Sequence, residues 1–266
     1  MWVVPQKRPY FGPLVIGQAH GGHTHTVPPV AQMSTEPRRV SAQEMFVEGF
    51  DAVIFDRDGV LTYFAEDEIQ AFFASRLPIS VGTLIGRWQA WGTRVGFPRS
   101  TDEEDAFFRG FWNSLADELQ LTSAVRTELL TLSYTQFIHP FADARPALVA
   151  ARAAGLRIGV LSNFSLASLN ESLQIVGLAD LVDIACAATV IGASKPDPAA
   201  YNTVLRALQV SPERCLFFDD EQPCVDGARA VGMHAYLVDR GLRSVSQRHV
   251  VPSLASLTDV LADSES

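Results

Sequence analysis

From residue 51 onward the chain alternates between short, largely apolar runs and longer segments whose apolar positions recur every three to four residues. The runs are AVIFD at 52–56, RIGVLSN at 157–163, LVDIACA at 181–187, RCLFFDD at 214–220 and HAYLVD at 234–239. Each is partly β-branched or aromatic, and most end in a polar residue, which is the pattern of strands buried on both faces. Between them, 142–154, 166–176, 198–208 and 225–231 have a helical period, and Gly155, Gly177 and Gly232 stop three of them. Strand and helix alternate, so the pattern predicts an α/β fold with a mostly parallel sheet and helices on both faces.

Between the first run and residue 140 the rhythm changes. Helical periods cover 65–77, 80–91, 102–120 and 122–137 with no strand pattern among them, which predicts an inserted helical unit. Trp88, Trp91 and Trp112 lie there with Phe72, Phe73, Phe107, Phe108, Phe111 and Phe137, enough aromatic bulk for a small bundle to build its own core. The acidic run Asp102, Glu103, Glu104 and Asp105 reads as a helix start or a solvated face. Residues 1–48 show neither period, and Pro5, Pro9, Pro13, Pro28, Pro29 and Pro37 interrupt them, so an irregular arm is expected. His20, His23 and His25 fall in its glycine-rich stretch and read as incidental rather than as zinc or nickel ligands. The expected domains are the arm at 1–48, an α/β core at 49–63 and 141–266, and the insertion at 64–140.

Composition narrows the partners. The 266 residues are 47% hydrophobic and carry 21 Lys plus Arg against 30 Asp plus Glu, a net charge of −9 whose field repels nucleic-acid phosphates and anionic lipid. No nucleic acid and no membrane is expected as a partner. The richest apolar stretch, 147–161, is broken by Arg152 and Arg157, and Pro5, Lys7, Arg8, Pro9 and Pro13 interrupt the start of the chain where a secretion signal needs an apolar run. Cys186, Cys215 and Cys224 are odd in number and lack CxxC or zinc-ligand spacing, which points to a reducing, cytoplasmic setting. No GxxxxGK[ST] loop occurs, and no GxGxxG follows the first run, so nucleotide-dependent chemistry is not expected.

Sites in open parallel sheets form beyond the carboxyl ends of the strands, which makes the polar residues there the candidates. The first run delivers Asp56 and Asp58 in DRDGVLT, the second Ser162 and Asn163, the fourth Asp219 and Asp220, while Lys195 stands in ASKPDP before a helix. Carboxyls gathered in one buried place repel one another and call for a metal. Oxygen donors without His or Cys favour Mg²⁺. With that ion, Lys195 and Ser162 to neutralise a dianion, one carboxylate can attack phosphorus and form an aspartyl-phosphate. A second carboxyl two residues on can protonate the leaving oxygen and later deprotonate water.

Taken in order, DxDGVLT, S-N, K-P and a strand ending in DD followed by GAxxxGM resemble the motifs of the haloacid dehalogenase (HAD) superfamily over about 51–240. The insertion between the first two motifs resembles the type 1 helical cap of the subfamily that includes phosphoglycolate phosphatases and β-phosphoglucomutases. The resemblance implies a Rossmann-like core and an aspartyl-phosphate mechanism. It implies that Asp56 is the nucleophile and Asp58 the acid/base, that Ser162 binds phosphate with the Asn163 backbone amide beside it, and that Lys195 joins nucleophile and phosphate. Asp220 is implied as a Mg²⁺ ligand with Asp219 next to it, and Asp56 and the main-chain carbonyl of Asp58 as the others. One position departs: where the family often reads D-S-x-x-D or D-S-x-x-N, DDEQPC puts Glu221 at the serine and Cys224 at the second acidic or amide position.

The expected activity is hydrolysis of a small phosphorylated metabolite by a Mg²⁺-dependent phosphatase, monomeric or homodimeric. Dehalogenation does not need the carboxyl at Asp58, and a phosphonate hydrolase stays open although 62–139 has no lysine to form a Schiff base with the substrate. A phosphomutase of the same fold and a non-catalytic binding protein are the alternatives. Substrate choice is expected to lie in the cap, with Arg87, Arg94 and Arg99 as candidates for a second anionic group.

Overall fold

The computed structural model describes residues 49–242 and 249–263, so the arm at 1–48, with His20, His23 and His25, lies outside the described residues. β1 (Ala52–Phe55) is apolar and buried at every position, as a strand with both faces covered must be. The chain then forms β2 (Thr62–Phe64), α1 (Glu66–Ala74), α2 (Val81–Val95), α3 (Thr101–Glu118), α4 (Ser123–Leu130) and β3 (Ile138–Pro140). β2 and β3 pair antiparallel, Thr62 opposite Pro140, as a ribbon on which the chain leaves and re-enters the core. Three-residue strands are too short to show alternation, so the sequence pattern does not disclose them.

Three of the four helices between them are fixed at their starts. Ser80, Ser100 and Thr122 accept hydrogen bonds from the N–H groups of Thr83, Glu103 and Val125, capping α2, α3 and α4. α2 continues through Gly92, beyond the expected end at 91, and the Phe97 ring fills the place of a Gly92 side chain, 2.2 Å from where a Cβ would lie. Ile69, Phe73, Leu84, Phe111, Trp112 and Leu129 form the core of this unit.

The remainder alternates as expected: α5 (Ala144–Ala153), β4 (Arg157–Ser162), α6 (Leu169–Ile175), β5 (Ile184–Ala187), α7 (Ala188–Ile191), α8 (Pro198–Leu208), β6 (Cys215–Asp219), α9 (Gln222–Ala230) and β7 (His234–Val238). The short β8 (Val250–Val251) and α10 (Leu257–Asp263) complete it. Six parallel strands form the sheet in the order β5-β4-β1-β6-β7-β8. Phe55, Val160 and Phe218 pack on one face with Leu148 and Leu257, and Ile54, Leu161 and Phe217 pack on the other with Tyr201, Val204 and Val225. This is the α/β core with helices on both faces that the pattern predicts. Cys186, Cys215 and Cys224 are buried and free. No helix among the described residues is long and apolar enough to cross a membrane.

Candidate active site

Strand order brings the polar tips together. β1 lies between β4 and β6, with Phe55 opposite Val160 and Phe218, so Asp56, Ser162 and Asp219 leave neighbouring strands at nearly one level. The Asp56 N–H donates to the Phe218 carbonyl at 2.8 Å. Lys195 arrives from the loop before α8, and its buried ammonium lies 2.8 Å from Asp56 Oδ1 and donates to Asp219 Oδ2 at 2.6 Å. Asn163 fixes that loop. Its side-chain amide donates to the Lys195 carbonyl at 2.9 Å, and its Oδ1 accepts from the Lys195 N–H at 2.8 Å. The side chain of Asn163 is therefore a clamp, a role that spacing alone does not reveal.

Gly59 is needed for two reasons: its φ is +82°, and a Cβ there would meet Asp220 Oδ2 at 2.1 Å. Arg240 pins the same loop, donating to the Gly59 and Val60 carbonyls at 3.0 and 2.5 Å while pairing with Asp143 at 3.1 Å.

Burial dominates the electrostatics. It pushes the Asp56 carboxyl up to about 7, against the pull of Lys195 and with Asp219 and Asp58 adding to the rise. Burial also works against the Lys195 ammonium, but Asp219 and Asp56 outweigh it and hold Lys195 charged well above its ordinary range. Asp219 is wholly buried and raised by that burial, and its Oδ1 accepts from the Glu221 N–H at 2.8 Å. Asp56, Asp219 and Asp220 each present a carboxylate oxygen, all within 4.8 Å of one another. Three acids face one ammonium with oxygen donors only, a set that fits a hard divalent cation.

Asp58 is gripped by its neighbour. Arg57 Nε and Nη2 donate to its two oxygens at 2.9 and 2.7 Å, and the Thr62 hydroxyl lies 3.3 Å from Oδ1. Arg57 is fully buried, 3.8 Å over the Phe164 ring, and donates to Ser172 Oγ at 3.0 Å. Burial opposes its charge, and Asp58 more than restores it. Nothing local in DRDG marks this arginine as internal. At the departing positions, Cys224 Sγ lies 3.3 Å from Glu221 Oε2, and burial pushes the thiol far up, so it is a neutral donor beside Glu221.

Over the tips the insertion closes a cavity of about 130 Å³. Asp56, Asp58, Ser162, Asn163, Lys195 and Asp220 line its core end, so every expected site residue except Asp219 faces it. A wider cleft of about 600 Å³ adjoins it, sharing Asp58, Ile69, Val81, Ile85 and Asp220. Glu104 latches the insertion to the core. Its Oε2 accepts from the Ala167 and Ser168 N–H groups at 2.8 and 2.9 Å, and its Oε1 from Ser168 Oγ at 2.5 Å. Tyr134 Oη lies 2.5 Å from the same Oγ. This corrects the solvated-face reading for Glu104, which is 6% exposed and shares the buried face of α3 with Phe107, Phe111 and Leu115. That face, three and four residues apart, was the available signal.

The arginines considered for a second anionic group stand away from the cavity. Arg87 pairs with Glu118 at 3.0 Å, Arg94 lies over the Trp91 ring at 4.5 Å, and neither they nor Arg99 line the cavity.

The family model for haloacid dehalogenase-like hydrolases matches residues 50–232 of this chain. Phosphatase MT3486 of Mycobacterium tuberculosis is 44% identical over 215 residues, covering 79% of this chain and 96% of that protein. A solved HAD phosphatase from Thermococcus onnurineus has a TM-score of 0.54 at 23% identity, covering 80% of this chain and 98% of that one. A solved 2-haloacid dehalogenase from Pseudomonas syringae pv. Tomato DC3000 has a TM-score of 0.59 at 21% identity, covering 80% and 99%. At those identities the two structures share this fold and do not choose between two chemistries.

Proposed function

The chain belongs to the haloacid dehalogenase-like hydrolase family, and from that membership we propose that it is a phosphatase acting on a small phosphate monoester through Asp56. The observation that carries this reading is the carboxyl of Asp58, held at the cavity wall by Arg57 and Thr62. A departing halide needs no proton, but a departing alkoxide does. The 44% identity to a protein named as a phosphatase supports the same choice.

In this mechanism an Asp56 carboxylate oxygen attacks phosphorus as the ester P–O bond breaks, and Asp58 gives the leaving alcohol its proton. Water, losing a proton to Asp58, then attacks the phosphorus, releases orthophosphate and restores Asp56. Lys195, the Ser162 hydroxyl and the Asn163 backbone N–H meet the non-bridging oxygens. A divalent cation, Mg²⁺ in this reading, would be held by Asp56, Asp219, Asp220 and the Asp58 carbonyl and, when bound, supplies positive charge to the phosphoryl oxygens. Residues 64–140 act as the cap over a core formed by 49–63 and 141–266, and the reduced cysteines suit a cytoplasmic enzyme.

Phosphate release from a panel of monoesters tests this directly. Turnover should require Mg²⁺, stop with EDTA, return on adding Mg²⁺ and vanish in Asp56→Asn. Chloride release from 2-chloropropionate without any phosphate release would overturn it, and conversion of a sugar phosphate to its isomer without free phosphate would assign a mutase.

A further inference from the structure

We propose that the cavity's outer end selects a neutral, apolar alcohol, so that the substrate is an alkyl or aryl phosphate without a second charge; this rests on the phosphatase reading above. The two ends of the cavity differ in kind. Lys195 is the only Lys or Arg among the described residues on its wall, and its ammonium already lies between Asp56 and Asp219. Every residue that the insertion contributes to the wall is apolar or aromatic, Phe73, Leu84, Ile85, Trp88 and Phe111 among them. The one insertion hydroxyl there, on Tyr134, is 2.5 Å from Ser168 Oγ.

No arginine of the insertion lines the cavity. Arg76 donates to Glu128 at 2.7 Å, Arg87 pairs with Glu118 at 3.0 Å, Arg126 pairs with Asp117, and Arg94 covers Trp91; none of them lines the cavity. A carboxylate or a second phosphate on the leaving group would enter this end without a partner, which is strongly unfavourable. An apolar group loses water there and gains contact. The cavity, about 130 Å³ in all, also has to hold the phosphoryl group at its core end, so the apolar end suits a small alkyl or aryl group.

The test is a homologous series, methyl through pentyl phosphate, assayed on the whole protein with Mg²⁺ beside phenyl phosphate, 2-phosphoglycolate, glycerol 3-phosphate and glucose 6-phosphate. The expected result is a rise in kcat/KM of about three- to fourfold per added methylene until the space is filled. 2-Phosphoglycolate should fall at least about tenfold below ethyl phosphate. A flat series, or 2-phosphoglycolate equal to or better than ethyl phosphate, would falsify the apolar assignment while leaving the phosphatase reading intact. No turnover of any ester, with no binding of orthophosphate, overturns both. In Trp88→Ala the preferred alkyl chain should lengthen, and an unchanged preference counts against the assignment; if that variant does not fold, the wild-type series still decides.

Discussion

At the strand tips, Asp56, Lys195 and Asp219 hold one another through contacts of 2.8 and 2.6 Å, whereas across the same cavity Phe73, Leu84 and Phe111 are held by apolar packing. A charge-held site tolerates almost no replacement, because each member is the partner that makes its neighbour's burial bearable. A shape-held wall tolerates many, since hydrophobic side chains of similar volume repack at modest cost. The contrast separates chemistry from choice of substrate, and mutations can test how clean that separation is.

The largest effect expected is on turnover. Asp56→Asn should lower kcat on the order of 10⁴-fold or more for every ester, having removed the nucleophile. Trp88→Leu should instead change kcat/KM by roughly tenfold and unequally across esters, because a few methylenes of contact are worth little more. Equal losses across all esters in the Trp88 variant would break the comparison, and steady-state kinetics on three esters suffices to see it.

Stability comes next, and there pH sharpens the contrast. Lys195→Met leaves Asp56 and Asp219 buried without their cation, a change expected to destabilise by about 3–5 kcal/mol near pH 8. Protonating the two acids relieves much of that cost, so the loss should shrink toward pH 4. Phe111→Ala should destabilise by a similar amount, about 3–5 kcal/mol, with no such dependence, because a cavity does not titrate. Urea unfolding at the two pH values, with EDTA present, measures both; a pH-independent loss in Lys195→Met would contradict the charge-held picture.

Glu104 joins the two regions, and its removal should cost less. Glu104→Ala leaves the Ala167 and Ser168 N–H groups and the Ser168 hydroxyl without their acceptor, at about 1–3 kcal/mol. Amide exchange at 167 and 168 should accelerate, whereas exchange in β1 should follow only the global loss. Uniform acceleration across the protein would mean that Glu104 supports the fold in general rather than the seam.

Asp56, the proposed nucleophile, carries a stability cost of comparable size. Its folded-state value near 7 lies above the ordinary 3.8, so the protonated form is the better accommodated one. The stability linked to it is complete below about pH 4 and lost as pH rises through about 7. Asp56→Asn lacks that titration, so without divalent metal it should be more stable than wild type at pH 8, on the order of 1–3 kcal/mol. The gap should close by pH 4. Thermal melts in EDTA across that range decide it, and a variant less stable than wild type at pH 8 would refute the sign.

How much was legible in the sequence follows the same division. The tips could be read because each is a local event, a short apolar strand ending in Asp or Ser, or a Lys-Pro just before a helix, and the fold then assembles them. Arg57 and Glu104 could not be assigned this way, since the contacts that bury them include Ser172 and Ala167, 115 and 63 residues away. Glu104 did leave a trace in the face it shares with Phe107 and Phe111; Arg57 left none. The β2–β3 ribbon failed for the same reason as Arg57, its two halves being individually featureless and meaningful only as a pair.

The smallest effect expected is at Arg94, and it bears on where specificity resides. Sequence spacing placed Arg87, Arg94 and Arg99 as a candidate anion site, yet Arg94 lies exposed over Trp91, on the side of α2 where Arg87 meets Glu118. Losing that contact should cost at most about 0.5–1 kcal/mol. Because its guanidinium does not reach the cavity, Arg94→Ala should leave KM for both butyl phosphate and 2-phosphoglycolate within about twofold of wild type. A selective rise in KM for 2-phosphoglycolate would put a cation back over the substrate, and the outer end of the cavity could then no longer be treated as uncharged.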